Sequence, residues 1–162
     1  MLNRTMEGAL NEQIRQELAS AYVYLAMSAY ADAQNYPGMA HWLRLQSKEE
    51  LGHAMAFFGF ITDRGGRVIL GPLEQPPSEY PSPIAVFEEV VRHEQRITGL
   101  IHDLYALALQ ERDYASLPIL QTFLSEQVEE ERSAEEILAR VRIAGNECRM
   151  LLLVDRELAA RQ

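Results

Sequence analysis

Proline and glycine are distributed unevenly along this chain, and their positions limit the folds that it can adopt. They interrupt the sequence near residues 36–38, 65–66, 113–118 and 145–146. The segments on either side carry hydrophobic residues three and four positions apart, which is the spacing of an amphipathic helix. The four longest helical segments run for about 27–32 residues, against an average helix of about 11–12. The sequence therefore predicts an all-α fold of four long helices, with a short fifth helix over residues 148–159.

One connection is much longer than the others. Residues 66–82 contain four prolines, which cannot lie inside a regular helix. An extended chain covers about 3.3 Å per residue, so this segment is long enough to run the full length of a bundle whose helices span about 40–48 Å. The third helix should then start at the end of the bundle opposite to the one where the second helix stops. A four-helix bundle with one long crossover is ferritin-like connectivity, and we expect residues 1–162 to form a single domain.

The charge balance and the single cysteine exclude several classes. The chain has 24 acidic and 15 basic residues, a net charge of −9, which disfavours nucleic acid and anionic membrane surfaces and favours cations. No apolar run approaches the roughly 18 residues of a membrane span, and the first residues do not resemble a signal peptide. Cys148 alone can form neither an internal disulfide nor a cysteine-rich zinc site. A cytoplasmic location is expected, with no nucleic-acid or membrane partner.

Polar side chains interrupt the apolar stripe of each predicted long helix. An unpaired buried carboxylate is costly, and no lysine or arginine lies on the same stripes to neutralise these acids. A pair of divalent cations would neutralise them, and carboxylate oxygens with one imidazole suit iron or manganese. The interruptions, in chain order, are Glu17 on the first helix, Glu50 and His53 on the second, Glu94 on the third, and Gln127 and Glu130 on the fourth.

Each of these signals has a simpler reading when it is taken alone. A Glu-x-x-His pair is most often a solvated surface pair, and the acidic run 129–131 would be a solvated face. Tyr24 would be a packed aromatic residue whose hydroxyl finds a partner. Four stripes interrupted at matching depth favour the metal centre over these readings. Three histidines have no comparable constellation and are predicted to be surface or structural residues: His41, His93 and His102.

At these positions the chain resembles the non-haem bacterial ferritins over essentially its whole length. The resemblance implies a ferritin-like bundle with a short fifth helix, assembled as a hollow shell of 24 subunits. It also implies iron storage and detoxification, in which a ferroxidase centre oxidises Fe(II) with dioxygen or hydrogen peroxide and the shell stores a ferric mineral. The most specific segments are Leu10-Asn11-Glu12-Gln13 with Glu17, Glu49-Glu50-x-x-His53, His93-Glu94-Gln95, and Ser125-Glu126-Gln127-x-Glu129-Glu130-Glu131.

The resemblance also implies two iron positions in each subunit. Glu17, Glu50 and His53 would bind the first iron. Glu50, Glu94 and Glu130 would bind the second, so that Glu50 bridges the two. A bridging carboxylate holds two cations a few ångströms apart, and anionic oxygen ligands stabilise ferric iron.

Further residues are implied to act around this pair. Gln127 would lie beside the two irons and bond dioxygen or water. Tyr24 would donate an electron to the reaction, or would position Glu94 or Glu130. A third iron site toward the inner cavity is implied as well, formed by Glu49, Glu126, Glu129 and Glu130.

The sequence departs from related sequences in three respects. Thr122 stands where several bacterial members carry a tryptophan, which puts in doubt an extra electron from the protein. Leu51 stands where haem-binding bacterioferritins carry the methionine that ligates haem, so no haem is expected. Leu117 and Leu120 align with acids that line the threefold channel of animal ferritins. They lead us to expect an apolar channel there and iron entry by another route, such as through each subunit's bundle.

Other functions of related bundles fit the sequence less well. A miniature ferritin that protects DNA has ligands at a subunit interface and lacks the fifth helix, whereas here the ligand set lies within one chain. A rubrerythrin-like peroxidase would usually bring Cys-x-x-Cys pairs, which one cysteine excludes. A structural bundle with an inactive centre would not need the complete ligand set. The sequence therefore favours an iron-storage ferroxidase.

Overall fold

A computed structural model describes residues 2–145 and 147–161, and this part of the chain forms five α-helices and no strand. Helices α1 and α2 pack against each other, as do α3 and α4, and α1 also contacts α3. Helix α5 lies against α2 and α4. The predicted four-helix bundle with a short fifth helix is thereby confirmed. The bounds are α1 Arg4–Ala33, α2 Pro37–Asp63, α3 Pro83–Gln110, α4 Leu117–Ala144 and α5 Cys148–Leu158.

None of the described helices is long and apolar enough to cross a membrane.

Two helices begin earlier than the sequence predicted. Helix α2 begins at Pro37 and α4 at Leu117, so Pro37 and Pro118 both lie in the first turn instead of preceding the helix. The first N–H groups of a helix have no partner within the helix, so a proline there removes no hydrogen bond. Helix α3 also begins with a proline, Pro83, and Ser82 caps it by accepting a hydrogen bond from the Ala85 N–H at 3.2 Å.

The crossover between α2 and α3 runs along α1, as its length predicted. Residues 66–82 contain neither helix nor strand. Near the start of α1, the Asn11 side chain donates to the Arg67 carbonyl at 2.9 Å and accepts from the Ile69 N–H at 2.7 Å. Near the end of α1, the ring of Tyr80 packs edge-on against Tyr30 with centroids 5.3 Å apart. Helix α3 consequently starts at the end of the bundle opposite to the end of α2.

The hydrophobic core has two parts. The first cluster includes Leu43, Phe87 and Val141 together with buried residues of α5. The second cluster includes Phe57 and Phe123, whose rings stack at 4.5 Å. On each of the four long helices, the polar residues that interrupt the stripe lie in sequence between these two clusters. The clusters therefore shield a polar layer at mid-bundle from both ends.

Helix α5 is anchored at the start of α2. Asp155 is 4% exposed, and its carboxylate accepts the Met39 N–H at 2.8 Å. This contact satisfies a donor in the first turn of α2, where Tyr36 makes no side-chain capping bond. Gly38 allows the close approach, because a Cβ at that position would lie 1.7 Å from the Asp155 carbonyl oxygen.

We expect Gly38→Ala to loosen α5, because the added methyl group overlaps backbone atoms that cannot rotate away. Amide hydrogen exchange across residues 148–158 should accelerate, and stability should fall by about 1–3 kcal/mol, as in an overpacked core. Gly99→Ala is the matched control, since nothing lies within 4 Å of its added Cβ and alanine favours a helix. Unchanged exchange in Gly38→Ala would contradict this account of α5 docking.

Candidate metal centre

Three ligating side chains from two helices meet in the polar layer. Glu17 of α1 and Glu50 and His53 of α2 each offer an atom, and these atoms lie within 4.8 Å of one another. Glu17 is 0% exposed and Glu50 is 1% exposed, while His53 is half-buried. His53 Nδ1 lies 3.7 Å from Glu50 Oε2. Within residues 2–145 and 147–161 no second group of three such ligands is this close.

Two carboxylate oxygens in this group have no hydrogen-bond partner among the described residues. Glu17 Oε2 and Glu50 Oε2 are buried and make no hydrogen bond, whereas Glu17 Oε1 accepts from Gln13 Nε2 at 2.7 Å. An unpaired buried acceptor costs about 1–3 kcal/mol, and more when it is charged. A cation held by these two oxygens and the His53 imidazole would remove that cost. The donor set therefore fits a divalent metal such as iron or manganese.

The electrostatics of the group favour the protonated form when no cation is bound. Burial, with a further contribution from the charge of Glu50, raises the pKa of Glu17 to about 8. Burial, and next the charge of Glu94, raises the pKa of Glu50 to about 8. Both carboxyl groups thus carry protons at neutral pH, and a binding cation must displace them.

Glu94 of α3 lies next to this group and is held by two donors. The Tyr24 hydroxyl donates to Glu94 Oε1, and Gln127 Nε2 donates to Glu94 Oε2 at 3.1 Å. Burial raises the pKa of Glu94, and these two hydrogen bonds act in the opposite direction. Burial and the charge of Glu94 raise the pKa of Tyr24 well above its usual value, so it stays a phenol donor. Of the two carboxylates proposed as partners of Tyr24, the structure brings Glu94 to it.

Glu130 of α4 is held by a hydrogen bond from α2. Its Oε2 accepts from Gln46 Nε2 at 2.9 Å, and Gln46 is 0% exposed. Burial, and next the charge of Glu49, raises the pKa of Glu130. The oxygens of Glu94 and Glu130 stand outside the Glu17–Glu50–His53 group. The structure thus brings together the ligands predicted for the first iron, while those specific to the second are hydrogen-bonded to neighbours.

The acids predicted for a third iron do not converge into a three-ligand group within the described residues. Glu126 and Glu129 are exposed, and Glu126 Oε2 lies 3.7 Å from His53 Nε2. Glu49 accepts a hydrogen bond from Arg161 at 2.9 Å. The third site stays a prediction.

The sequence did not predict that Arg161 contacts residues next to the metal centre. The apolar stripes contain no base, yet this guanidinium reaches Gln46 and Glu49 from beyond the end of α5 and lies 5.1 Å over the Trp42 ring. Its partners on α2 lie more than 110 residues earlier in the chain. Helical periodicity relates residues on one helix, so no pattern in the sequence could reveal this contact.

One predicted channel-lining position is wrong, while the route of iron entry stays a prediction. Leu120 is 0% exposed in a single chain and belongs to the second cluster, so it cannot line a channel between subunits. Leu117 is half-buried against the same cluster. Both residues lie in the first turns of α4, where the stripe that faces the core needs apolar side chains. Aligning single positions could not show which side of α4 each leucine occupies.

The remaining histidines occupy structural or surface positions, as predicted. Ser20 Oγ donates to the Gln16 carbonyl and therefore accepts from His93 Nε2, 2.7 Å away. Burial, and next the charge of Arg96, lowers the pKa of His93 to about 4, so its ring is neutral. His102 is exposed. His41 Nε2 lies 2.8 Å from the Arg161 carbonyl oxygen and donates to it.

The fold and the site together define a helical-bundle protein of the carboxylate metal-centre class, with ligands contributed by facing helices. Known proteins agree with this class. Residues 7–144 match the model of the ferritin-like domain. A bacterial non-heme ferritin from Staphylococcus epidermidis is 38% identical over 161 residues, covering 99% of this chain and 97% of the relative. One from Bacteroides fragilis is 38% identical over 146 residues, covering 90% and 92%.

Solved ferritin structures are also similar to this chain. An open-pore ferritin from the hyperthermophilic archaeon Archaeoglobus fulgidus superposes with a TM-score of 0.98 at 47% identity, and each chain is covered completely. An engineered closed form of that ferritin superposes with the same TM-score at 46% identity. The chain belongs to the ferritin-like family.

We expect cation binding to the metal-free protein to release protons, and to release more at pH 6.5 than at pH 9. Below a pKa of about 8 the carboxyls of Glu17 and Glu50 are protonated and must lose their protons to bind a metal. About one to two protons should leave per Co(II) bound at pH 6.5, measured by calorimetry in buffers of different ionisation enthalpy. Glu17→Gln should reduce the release at pH 6.5. Equal release at both pH values would contradict the raised pKa values.

Proposed function

We propose that this chain is the subunit of an iron-storage ferritin whose buried centre is a ferroxidase, with Fe(II) as its substrate. The observation that carries the proposal is the Glu17–Glu50–His53 group, in which two buried carboxylate oxygens have no hydrogen-bond partner among the described residues. Membership of the ferritin-like family supports iron as the cation. The same side chains would hold manganese or cobalt, so the reaction itself needs a direct test.

Within this proposal, the first iron binds to Glu17, Glu50 and His53. The second binds to Glu50, Glu94 and Glu130, with Glu50 as the bridge. The position of Glu50 supports this assignment, because the charges of both Glu94 and Glu130 act on its pKa. Glu50 is thus the carboxylate that faces both parts of the centre.

The surrounding side chains prepare the site for oxidation. The carboxylates give up their protons to bind Fe(II), and their negative oxygens then stabilise Fe(III) relative to Fe(II). Tyr24 holds one oxygen of Glu94, which supports a positioning role over electron donation. Gln127 Nε2 donates to the other oxygen at 3.1 Å and lies 3.3 Å from Thr98 Oγ1, so in this proposal its amide would exchange one of these partners to bond dioxygen or water. The two hydrophobic clusters keep bulk water away from the centre.

The electron balance is simple. Each Fe(II) loses one electron, so the pair supplies two. With two protons, these electrons reduce dioxygen to hydrogen peroxide, or hydrogen peroxide to two water molecules. The product is Fe(III), and no haem takes part in this scheme because Leu51 offers no ligating atom.

Storage is the second part of the proposal. We infer a cytoplasmic shell of 24 copies in which Fe(III) passes inward by way of Glu49, Glu126, Glu129 and Glu130 and accumulates as a mineral. The likeness to ferritins along the entire chain supports such an assembly. The exposure of Glu126 and Glu129 supports their access to a cavity.

Glu50→Ala should slow the fast oxidation of the first two Fe(II) per subunit by more than about tenfold, because it removes a ligand from both proposed irons. Stopped-flow absorbance under aerobic conditions measures that phase. Glu129→Ala should leave the fast phase intact and change later turnover. Glu135→Ala, an exposed acid on the same helix, is the charge-matched control. An unchanged fast phase in Glu50→Ala would refute the assignment of the centre.

Aerobic loading should yield particles that hold far more iron than the two ions per subunit of the oxidation centre. Particle mass and iron content measured on the same sample test this directly. A large closed assembly that accumulates iron supports storage. A monomer or dimer that retains two irons and forms no mineral would refute storage, even if Fe(II) oxidation is rapid.

A further inference from the structure

The segment after α5 returns to the metal centre through one side chain. The Arg161 guanidinium donates to Gln46 Oε1 and, at 2.9 Å, to Glu49 Oε2, and it lies 5.1 Å over the Trp42 ring. Its backbone carbonyl accepts from His41 Nε2 at 2.8 Å. Trp42, Gln46 and Glu49 are four and three residues apart, so they form one face of α2. The guanidinium is therefore held at three points and the backbone of the same residue at a fourth, although the side chain remains 30% exposed.

The contact with Arg161 determines which way the Gln46 amide points. A guanidinium has only donors, so it must meet the amide oxygen of Gln46 and not its NH2 group. The NH2 group then faces the opposite side, where it donates to Glu130 Oε2 at 2.9 Å. Gln46 is 0% exposed, so water cannot replace either partner. A chain of two hydrogen bonds thus joins Arg161 to Glu130.

This chain of bonds fixes the orientation of the Glu130 carboxylate. Its Oε2 accepts from Gln46, and in this orientation Glu130 stands outside the Glu17–Glu50–His53 group, so the carboxylate has to turn, or share Oε2 between the amide and the metal, to become a ligand. The guanidinium also engages Glu49, so its positive charge stands on the same side of the centre as Glu130. The first group contains neither Gln46 nor Glu49 and is spared both effects.

We propose that Arg161 is a positioning residue which, acting through Gln46, restrains Glu130 and makes the second iron bind more weakly than the first. The inference rests on the proposed function, because it concerns the second ligand set of that centre. It gives the centre an order of filling, first at Glu17, Glu50 and His53 and then at the side that includes Glu130. The docking of α5 through Asp155 and Gly38 sets the place from which Arg161 reaches α2.

Anaerobic calorimetric titration with Co(II), which does not oxidise under these conditions, tests the proposal without relying on activity. Wild type should show two binding events per subunit. Arg161→Gln should tighten the second event about three- to fivefold, the scale of a partly exposed charge contact, and leave the first within about twofold. Arg156→Gln is the matched control, because Arg156 is an exposed arginine of α5 and its loss makes the same change in net charge.

A second variant separates the hydrogen-bond relay from charge alone. Gln46→Met keeps Arg161 but removes the amide, so it should reproduce most of the gain at the second event. The double variant should gain little beyond either single variant, because both changes break the same chain of contacts. Fully additive gains would show that the relay does not operate and would overturn the proposal.

The failing outcomes are distinct. A second binding constant that stays unchanged or weakens in Arg161→Gln overturns the inference while leaving the ferroxidase proposal intact. Equal tightening in Arg161→Gln and Arg156→Gln also overturns it, because net charge would then be the cause. Absence of a second event in wild type refutes the second iron site and the inference with it. Absence of Fe(II) oxidation in wild type refutes the proposed function, whatever the Co(II) constants are.

Discussion

The burial of several carboxylates in one layer of the bundle is the constraint on which the rest of the structure depends. Glu17, Glu50 and Glu94 are each at most 1% exposed, and they come from three different helices. Burial removes the water that would stabilise their charges, and neighbouring carboxylates repel one another, so the pKa values of all three are raised. Without a cation the layer relies on protons and on neutral donors such as Tyr24 and Gln127. A divalent metal would satisfy the same oxygens with positive charge, and the free energy lost by burying them would then favour cation binding.

The scaffold makes this arrangement sustainable. Hydrophobic clusters on both sides of the layer supply the favourable burial that offsets a polar centre, and they limit the access of water. Because of the crossover, α3 starts at the end of the bundle opposite to the end of α2. Glu94 of α3 therefore lies at the same level along the bundle as Glu17 and Glu50. Helix α5 does more than cover one end, because Asp155 joins it to α2 and the chain beyond it carries Arg161 to Gln46. Side chains from the four long helices, and one from the segment after α5, therefore contact the centre or its hydrogen-bond partners.

Much of this could be predicted from patterns that repeat along single helices. The apolar stripes indicated four long helices, the prolines of 66–82 indicated the crossover, and the interruptions singled out Glu17, Glu50 and His53. Other features depend on how helices face one another and could not be predicted. Leu120 is a core residue. This could not be predicted, because the side of α4 that faces the core depends on how α3 and α4 pack. Helices α2 and α4 begin earlier than predicted, because a proline in the first turn of a helix removes no hydrogen bond.

By itself, the amino-acid sequence determined the all-α fold, the long crossover and the identity of the ligand types, since each follows from residue spacing and from the conformational limits of proline. Only the tertiary structure decided which donors engage Glu94 and Glu130, and that a guanidinium from residue 161 completes one of these networks. Hydrogen bonds of this kind join side chains on different elements within about 3 Å. Such distances arise from the packing of whole helices, and no local property of the chain specifies them.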